Sequence, residues 1–285
     1  MVKSGKNLKK SQVQTNLQLV EKKEVLTKPY NDIDLNNWKN YSHVLTNTLW
    51  EFESREKSNG HSYDYHGNYI PQIANQLFER FTKKNDIVLD LFFEAINMNR
   101  RCIGVELKED LVEYVSHKFD KKDLVTKMNI ICENSASETV LDKIKARLEI
   151  MGEEKAQFLV LHPPYDDIIK FSDKKEDLSN CKSTNDFYDL FEKVAKNGYD
   201  CLEKGRFAAL IIGDKYSNGE LVPLGFECMA RMNKLGFRTK SIIVKNIEGN
   251  EKCKGKNANL WRYRALYGGF YIFKHEYIII FEKNK

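Results

Sequence analysis

The sequence lacks any apolar segment of membrane-spanning length and any closely paired cysteines. Its longest apolar runs, such as Phe158–Leu161 and Ile278–Phe281, are strand-sized, whereas a membrane helix needs roughly 18 such residues. No stretch near the N-terminus is typical of a signal peptide. The six cysteines include no CxxC pair, which argues against a zinc ribbon, another metal site or a disulfide framework. We therefore expect a cytoplasmic protein with no membrane partner.

The net charge of +5 is concentrated in the first thirty residues. That segment holds seven lysines and two glutamates, whereas the other 255 residues carry 39 basic and 39 acidic side chains. A basic tail is typical either of a nucleic-acid-binding arm or of a solvated, disordered segment, and both interpretations stay open. We predict a flexible basic tail at 1–30 and one domain at 31–285.

Short apolar runs alternate with helical patterns along that domain. The apolar spacing predicts a helix at Pro71–Phe81. Strands are predicted at IVLDLFF, RCIGVEL, MNIICE, QFLVL, RFAALII, SIIVKNI and HEYIIIFEK. Alternation of strands and helices predicts an α/β fold with a mostly parallel sheet. No helix is evident between the last two strands, so we expect them to form an antiparallel pair at the edge.

Two strands end in residues suited to a binding site, because ligands of open α/β sheets lie beyond the carboxyl ends of the strands. Glu106 ends the second strand, where a carboxylate binds a ribose diol or simply caps a helix. The fourth strand is followed by HPPY at 162–165. Its two prolines stiffen the chain and remove backbone donors, so a polar side chain, a free carbonyl and a tyrosine ring can converge on an exocyclic amino group. The alternative is an ordinary turn with a packed tyrosine.

Taken together, these residues resemble the amino-DNA methyltransferases, which methylate adenine N6 or cytosine N4 from S-adenosylmethionine. The resemblance covers residues 43–283 in a consistent order, through the segments YHGNYIPQIANQLFERFTKKNDIVLD, RCIGVEL, NIICENSA, LVLHPPYDDIIKFS, GRFAALIIGD and HEYIIIFEK. It implies a Rossmann-like methyltransferase fold. It also implies that S-adenosylmethionine is bound by Asp90, Phe92, Glu106, Asn134, Pro71 and Gln72, and that the target base is held by His162, Pro163, Pro164 and Tyr165.

Two features depart from the family pattern. His162 stands where the family usually has Asp, Asn or Ser, although a neutral imidazole can accept a bond from an amino group and then take its proton. No glycine lies between Asp90 and Gly104, where the family has F-x-G-x-G. The segment is about seven residues short between Phe93 and Glu94, so we expect cofactor binding to be weakened or lost. Three explanations of the short segment stay open: natural loss of the cofactor loop, an engineered deletion, or a loop left out of the recorded sequence. Only the third predicts that Phe93 and Glu94 are too far apart to be joined by a peptide bond.

A basic and aromatic segment precedes the last strand. Lys245–Arg264 contains six basic and two acidic residues, with Trp261 and Tyr263 among them. Such a loop suits contacts to phosphates and base edges, and the alternative is a surface excursion with Trp261 in the core. We predict a DNA-recognition insertion at 245–270 with contacts from Lys252, Lys254, Lys256, Trp261, Arg262 and Arg264. A second insertion at 166–182 is expected to gate the substrate.

The resemblance implies methyl transfer from S-adenosylmethionine to the exocyclic amino group of a base flipped out of duplex DNA, with adenine N6 favoured over cytosine N4. The expected partners are double-stranded DNA and, in a restriction-modification system, a restriction endonuclease; the chain itself would be a monomer or homodimer. Two other interpretations stay open. One is a non-catalytic DNA-binding relative without the cofactor loop. The other is an RNA methyltransferase, because a PPY loop also suits guanine N2 in tRNA.

Overall fold

The computed structural model describes residues 28–56, 68–92, 100–118, 127–247 and 258–284. Most of the basic tail, the Phe93–Glu94 peptide, and Lys252, Lys254 and Lys256 therefore lie outside the described residues. The end of the predicted tail is described, and there the Tyr30 ring packs edge-on against Phe207 at 4.9 Å between ring centroids.

The described strands are β1 (Leu49–Trp50), β2 (Ile87–Asp90), β3 (Arg101–Glu106), β4 (Met128–Cys132), β5 (Ala156–Leu161), β6 (Leu202–Ile212), β7 (Lys215–Ser217), β8 (Glu220–Val222), β9 (Phe237–Asn246) and β10 (His275–Lys283). The helices are α1 (Pro71–Phe81), α2 (Glu109–Lys118), α3 (Thr139–Ile150), α4 (Thr184–Cys201), α5 (Leu224–Lys234) and α6 (Ala258–Gly268). Short 3-10 helices cover Leu35–Tyr41 and Leu178–Asn180. No helix in these described ranges has the length and apolar content of a membrane span.

Eight strands form one sheet in the order β1-β9-β10-β6-β5-β2-β3-β4, and β7 and β8 form a separate hairpin. All pairings in the large sheet are parallel except those of β10 with β6 and β9. The run β4-β3-β2-β5-β6 has the strand order of a doubly wound Rossmann sheet. The predicted α/β, Rossmann-like and mostly parallel fold is therefore confirmed.

The sequence predicts an antiparallel strand at the edge of the sheet. In the structure the antiparallel strand lies inside the sheet instead. β10 lies between β6 and β9, and the short β1 covers the outer side of β9. The antiparallel pairing of β9 with β10 was predicted, but pairing alone does not say which of the two strands adjoins the rest of the sheet. The link between them contains α6, which was also not expected.

Helices bury apolar stripes against both faces of the sheet. On one face, Ile73, Leu77 and Phe78 of α1 pack against Phe158 and Val160. Complete burial of a side chain such as Leu77 contributes roughly 1.5–3 kcal/mol. On the other face, α3, α4 and α5 contribute the buried residues Val140, Ile144, Phe187, Phe191, Leu224 and Cys228.

The three strands that carry the candidate site are adjacent at the centre of the sheet. Asp90 at the end of β2 is in register with Val160 of β5 on one side and with Gly104 of β3 on the other. Because all three run in parallel, their carboxyl ends meet at one edge, called here the carboxyl edge. The residues after β6 and β9 and before β10 reach the same edge.

Candidate active site at the carboxyl edge of the sheet

His162 follows the last residue of β5 and is only 8% exposed. Its ring meets the edge of Tyr69 at 5.4 Å and the edge of Tyr165 at 5.7 Å, both close to perpendicular. His162 Nε2 lies 3.4 Å from the Tyr165 hydroxyl. Pro163 is buried and Pro164 is half-buried. The HPPY residues are thus assembled in one place, with the imidazole enclosed by two tyrosines.

Tyr165 is half-buried rather than enclosed in the interior. Its hydroxyl donates a hydrogen bond of 2.7 Å to Oε2 of Glu276, the second residue of β10. Its ring lies over Gly213 at the end of β6, where an added Cβ would come within 2.8 Å of Tyr165 Cε2. The position of the Tyr165 ring is therefore set by the hydrogen bond to Glu276 and by packing against Gly213.

The turn after HPPY is tied down by a buried ion pair. Asp166 has a φ of 52°, which is unusual outside glycine but best tolerated by Asp and Asn. Its Oδ2 accepts from Thr184 Oγ1 at 2.7 Å and lies 2.8 Å from Lys215 Nζ. Lys215 also reaches Asp167 at 2.6 Å. Burial lowers the pKa of Lys215, but the hydrogen bonds to both aspartates more than compensate, so the net shift is upward.

The residues at the end of β2 that were predicted to bind the cofactor form a compact turn. Asp90 is fully buried, and its Oδ1 accepts from the backbone N–H of Phe92 at 3.1 Å. Ser135 Oγ donates to the Leu91 carbonyl at 2.6 Å, which joins this turn to the loop after β4. Asn134, next to that serine, uses its Oδ1 to accept from Ala136 N. The structure thus brings Asp90, Phe92 and Asn134 to neighbouring loops of the carboxyl edge.

Glu106 closes β3, and one of its carboxylate oxygens accepts from Lys108 N at 2.8 Å. Burial raises the pKa of Glu106, although the bond from Lys108 acts in the opposite direction. The second oxygen adds acceptor capacity at the position predicted for a ribose diol.

Pro71 and Gln72 start α1 on the other side of the site. Pro71 is buried at the first helical position, where its missing N–H costs no hydrogen bond. Gln72 donates to the Ser54 carbonyl at 2.7 Å and accepts from Glu56 N at 3.1 Å. The Gln72 side chain therefore holds the segment before α1 in place.

The segment at 166–182 is folded back toward the residues that follow β3. Lys174 Nζ donates to the Leu107 carbonyl at 2.8 Å and to Glu109 at 3.0 Å, next to Glu106. Asp177 caps the short helix Leu178–Asn180 by accepting from Ser179 N. An open cavity of about 480 Å³ lies between this segment and the start of α2, lined by Lys108, Glu109, Asp110, Phe171, Ser172, Asp173 and Lys174.

The predicted DNA-contacting residues that are described lie on α6. Arg262 and Arg264 are exposed, and the Arg264 guanidinium lies over the Trp261 ring at 5.3 Å. Tyr263 and Tyr267 are exposed and stack at 6.2 Å. The loop expected here is thus partly a helix with an exposed aromatic and basic surface. Trp261 is half-buried, so it is neither fully exposed, as a DNA-contacting residue would be, nor part of the core.

The sequence analysis did not identify the residues that contact the HPPY loop or its partners from distant parts of the sequence. These are Tyr69, Lys215, Glu276 and Lys245, which contact the site from other elements. The available signal was a pair of opposite charges next to apolar runs, Lys245 in SIIVKNI and Glu276 near the start of HEYIIIFEK. A buried charge in a strand usually has a partner, so such a pair could have been sought.

Residues 156–285 match the model of the N6_N4_Mtase family, described as DNA methylase. A search of curated proteins found no match. Among solved structures, TrmN from Thermus thermophilus is 11% identical, with 76% of this chain and 50% of that one covered and a TM-score of 0.46. A provisionally assigned DNA modification methylase, also from Thermus thermophilus and complexed with S-adenosyl-L-methionine, is 19% identical, with 45% and 48% covered and a TM-score of 0.31.

This chain spans about half the length of these two proteins. Because both TM-scores lie below 0.5, the fold assignment rests on the strand order described above. The family match begins at Ala156, the first residue of β5, and includes the HPPY loop, β6, β9 and β10. The resemblance to the amino-DNA methyltransferases is therefore confirmed over residues 156–285.

Proposed function

We propose that this chain is an S-adenosylmethionine-dependent methyltransferase acting on an exocyclic amino group in DNA, adenine N6 in preference to cytosine N4. The observation that carries the proposal is the position of HPPY at the end of β5, beside the end of β2 and inside the segment that matches the DNA methylase family. An amino group bound there would face a polar side chain, a rigid backbone and an aromatic ring.

The residues of the cofactor side fit S-adenosylmethionine. Glu106 has acceptor capacity for ribose hydroxyls at the end of β3, and the buried Asp90 supplies a negative charge at the end of the adjacent strand. Asn134 and Phe92 lie on neighbouring loops, and Pro71 and Gln72 begin α1. When bound, this cofactor supplies an electrophilic methyl group.

The base side would act by orientation and by proton acceptance. A base flipped out of the duplex stacks on Tyr165, and its amino group donates to His162. The amino nitrogen becomes cationic as it is methylated, so an acceptor at His162 stabilises the developing charge. The imidazole then takes the proton, since the unprotonated nitrogen of a neutral imidazole is a base. Duplex DNA would be held by Arg262, Arg264 and the lysines before α6.

Nucleoside mass spectrometry of DNA and of tRNA incubated with the protein and S-adenosylmethionine tests this function. The proposal predicts N6-methyladenine in DNA. N4-methylcytosine would correct the target base, and methylguanosine in tRNA alone would favour an RNA methyltransferase.

A second candidate is a DNA-binding relative that no longer uses the cofactor. It is favoured by the absence of glycine between Asp90 and Gly104, where close approach of the backbone to a ligand usually requires it. Calorimetry separates the two candidates. S-adenosylmethionine binding with micromolar affinity excludes the second one, and DNA binding without cofactor binding supports it.

A further inference from the structure

An exposed apolar stripe runs along α6. Tyr263 and Tyr267 are 63% and 85% exposed, and their rings stack with 6.2 Å between centroids and 17° between planes. Leu260 and Leu266 are also exposed. At about 3.6 residues per turn, the other three side chains lie within about 60° of Tyr263 around the helix, because each is three or four positions from it. These four residues are called here the α6 stripe, and large apolar side chains grouped on a surface in this way mark an interaction site.

An arginine lies on each side of the α6 stripe. Arg262 and Arg264 precede and follow Tyr263, and both are exposed. They therefore project about 100° to either side of that tyrosine. The opposite face of α6 carries Trp261 and Ala265, which are both half-buried. The outward face of the helix thus presents a row of aromatic and apolar side chains between two cations.

Aromatic packing attaches α6 to the hairpin behind the HPPY loop. The Tyr216 ring of β7 stacks on Phe273 at 4.9 Å and contacts Phe270 at 5.0 Å between centroids, and both phenylalanines belong to the link from α6 to β10. Lys215, which precedes Tyr216, forms the ion pair with Asp166. The α6 stripe and the HPPY loop are therefore attached to the same β7–β8 hairpin.

The charges around the α6 stripe indicate which partner it binds. No acidic residue lies between Glu251 and Glu276 in the sequence, whereas Arg262 and Arg264 do. A symmetric contact between two copies of this helix would bring those arginines together with no carboxylate on α6 to neutralise them. A polynucleotide instead supplies phosphates for the arginines and flat base faces for the tyrosines. Bases stacked inside a duplex offer no such face, so the α6 stripe suits an unpaired strand.

We propose that the α6 stripe binds unpaired bases of single-stranded DNA. Tyr263 and Tyr267 stack on the bases, and the two flanking arginines contact the phosphates. The inference rests on the proposed DNA methyltransferase function for the choice of DNA, and it narrows the substrate class to DNA that is single-stranded or locally opened.

Fluorescence anisotropy with the full-length chain and no cofactor tests the inference. The probes are a labelled single strand of mixed sequence, the corresponding duplex, and an abasic strand of the same length, which keeps the phosphates but has no bases. The unaltered chain should bind the base-bearing strand roughly fivefold or more tightly than the abasic strand, because one base stacked on an aromatic ring contributes at least that much.

Tyr263→Ala and Tyr267→Ala should each weaken binding of the base-bearing strand by roughly fivefold to a hundredfold. Their affinity for the duplex and for the abasic strand should stay that of the unaltered chain. Tyr267→Phe keeps the ring and should bind all three probes normally. Alanine variants that bind the base-bearing strand normally, or that lose affinity equally for all three probes, would overturn the inference.

Trp38→Ala is the matched control, because Trp38 is also 63% exposed but lies on the short helix Leu35–Tyr41. Asp32, just before that helix, accepts a hydrogen bond from Lys84 N at the amino end of β2, on the edge of the sheet opposite to HPPY. Trp38→Ala should bind all three probes normally. Equal losses in Trp38→Ala and Tyr267→Ala would overturn the inference.

Two further outcomes separate this inference from its alternatives. Sedimentation that shows a dimer for the unaltered chain and a monomer for Tyr267→Ala would overturn it, since the α6 stripe would then join two copies of the chain. If the unaltered chain methylates neither DNA nor RNA, the proposed function fails, but the binding measurements still decide the role of the α6 stripe because they require no catalysis.

Discussion

Lys215 and Asp166 form a buried ion pair directly behind the HPPY loop, with 2.8 Å between Lys215 Nζ and Asp166 Oδ2. The pair joins the first residue of the β7–β8 hairpin to a turn residue with positive φ. Strained backbone of this kind persists where surrounding contacts enforce it. The ion pair is one such contact, and the hydrogen bond from Thr184 Oγ1 is another.

Replacing Lys215 with Met should destabilise the protein by about 3–5 kcal/mol, because Asp166 would be left buried without its cation. Urea denaturation measures the loss. Lys215→Met combined with Asp166→Asn should recover much of it, since the charge is removed and Asn also tolerates positive φ. If Lys215→Met unfolds at the same urea concentration as the unaltered chain, the ion pair contributes nothing to stability.

Binding of S-adenosylmethionine should weaken on acidification because of Glu106. Burial raises the pKa of this carboxyl, so it gains a proton at a higher pH than an ordinary glutamate does. Ribose hydroxyls donate to the ionised form, so the affinity is complete above the raised pKa and falls as the pH drops through it. Calorimetry across this range measures the effect. Glu106→Gln should bind more weakly and with no dependence on pH in this range, and a pH-independent affinity in the unaltered chain would contradict the assignment.

Gly213→Ala tests the packing of the Tyr165 ring. The new methyl group would lie 2.8 Å from Tyr165 Cε2 in the present arrangement, so the ring has to move away from Glu276. We expect kcat for methyl transfer to fall by roughly tenfold or more. Ser217→Ala, on the exposed hairpin nearby, should leave kcat unchanged. Full activity in Gly213→Ala would mean that the ring position does not matter for the reaction.

The surface of α6 should bind the DNA backbone. Substituting Arg262 or Arg264 with Ser should weaken binding to duplexes of any sequence and reduce the salt dependence of log K by about one unit each. Fluorescence anisotropy at several salt concentrations measures both quantities. Lys234→Ser, at the far end of α5, is an exposed control that should bind normally. Unchanged affinity and salt dependence in the arginine variants would place the DNA elsewhere.

The central strands were predictable because buried parallel strands are continuous apolar runs. β2, β3, β5 and β6 all appear in the sequence in this form, and HPPY directly follows one of them. The positions of Asp90, Glu106 and His162 at one edge followed from that reading. α6 was not predictable in the same way, since Leu266 and Tyr267 are 72% and 85% exposed and form no buried stripe.

Two other features required the structure for different reasons. The β7–β8 hairpin turns at Asn218 and Gly219, both with positive φ, and this Asn-Gly pair is a known hairpin signal that was overlooked. The Tyr165–Glu276 bond joins residues 111 positions apart and depends on the order of β5, β6 and β10. Pairings at that distance follow from the sheet topology and have no local pattern.

The central claim is that HPPY presents an amino-methylation site for a DNA base. Nucleoside mass spectrometry of duplex DNA, incubated with S-adenosylmethionine and either the unaltered chain, His162→Ala or His162→Asp, tests it most directly. The account predicts N6-methyladenine with the unaltered chain, a loss of at least about a hundredfold in His162→Ala, and substantial activity in His162→Asp, because Asp supplies an acceptor. Absence of any methylated base in DNA, or equal methylation by all three proteins, would contradict it.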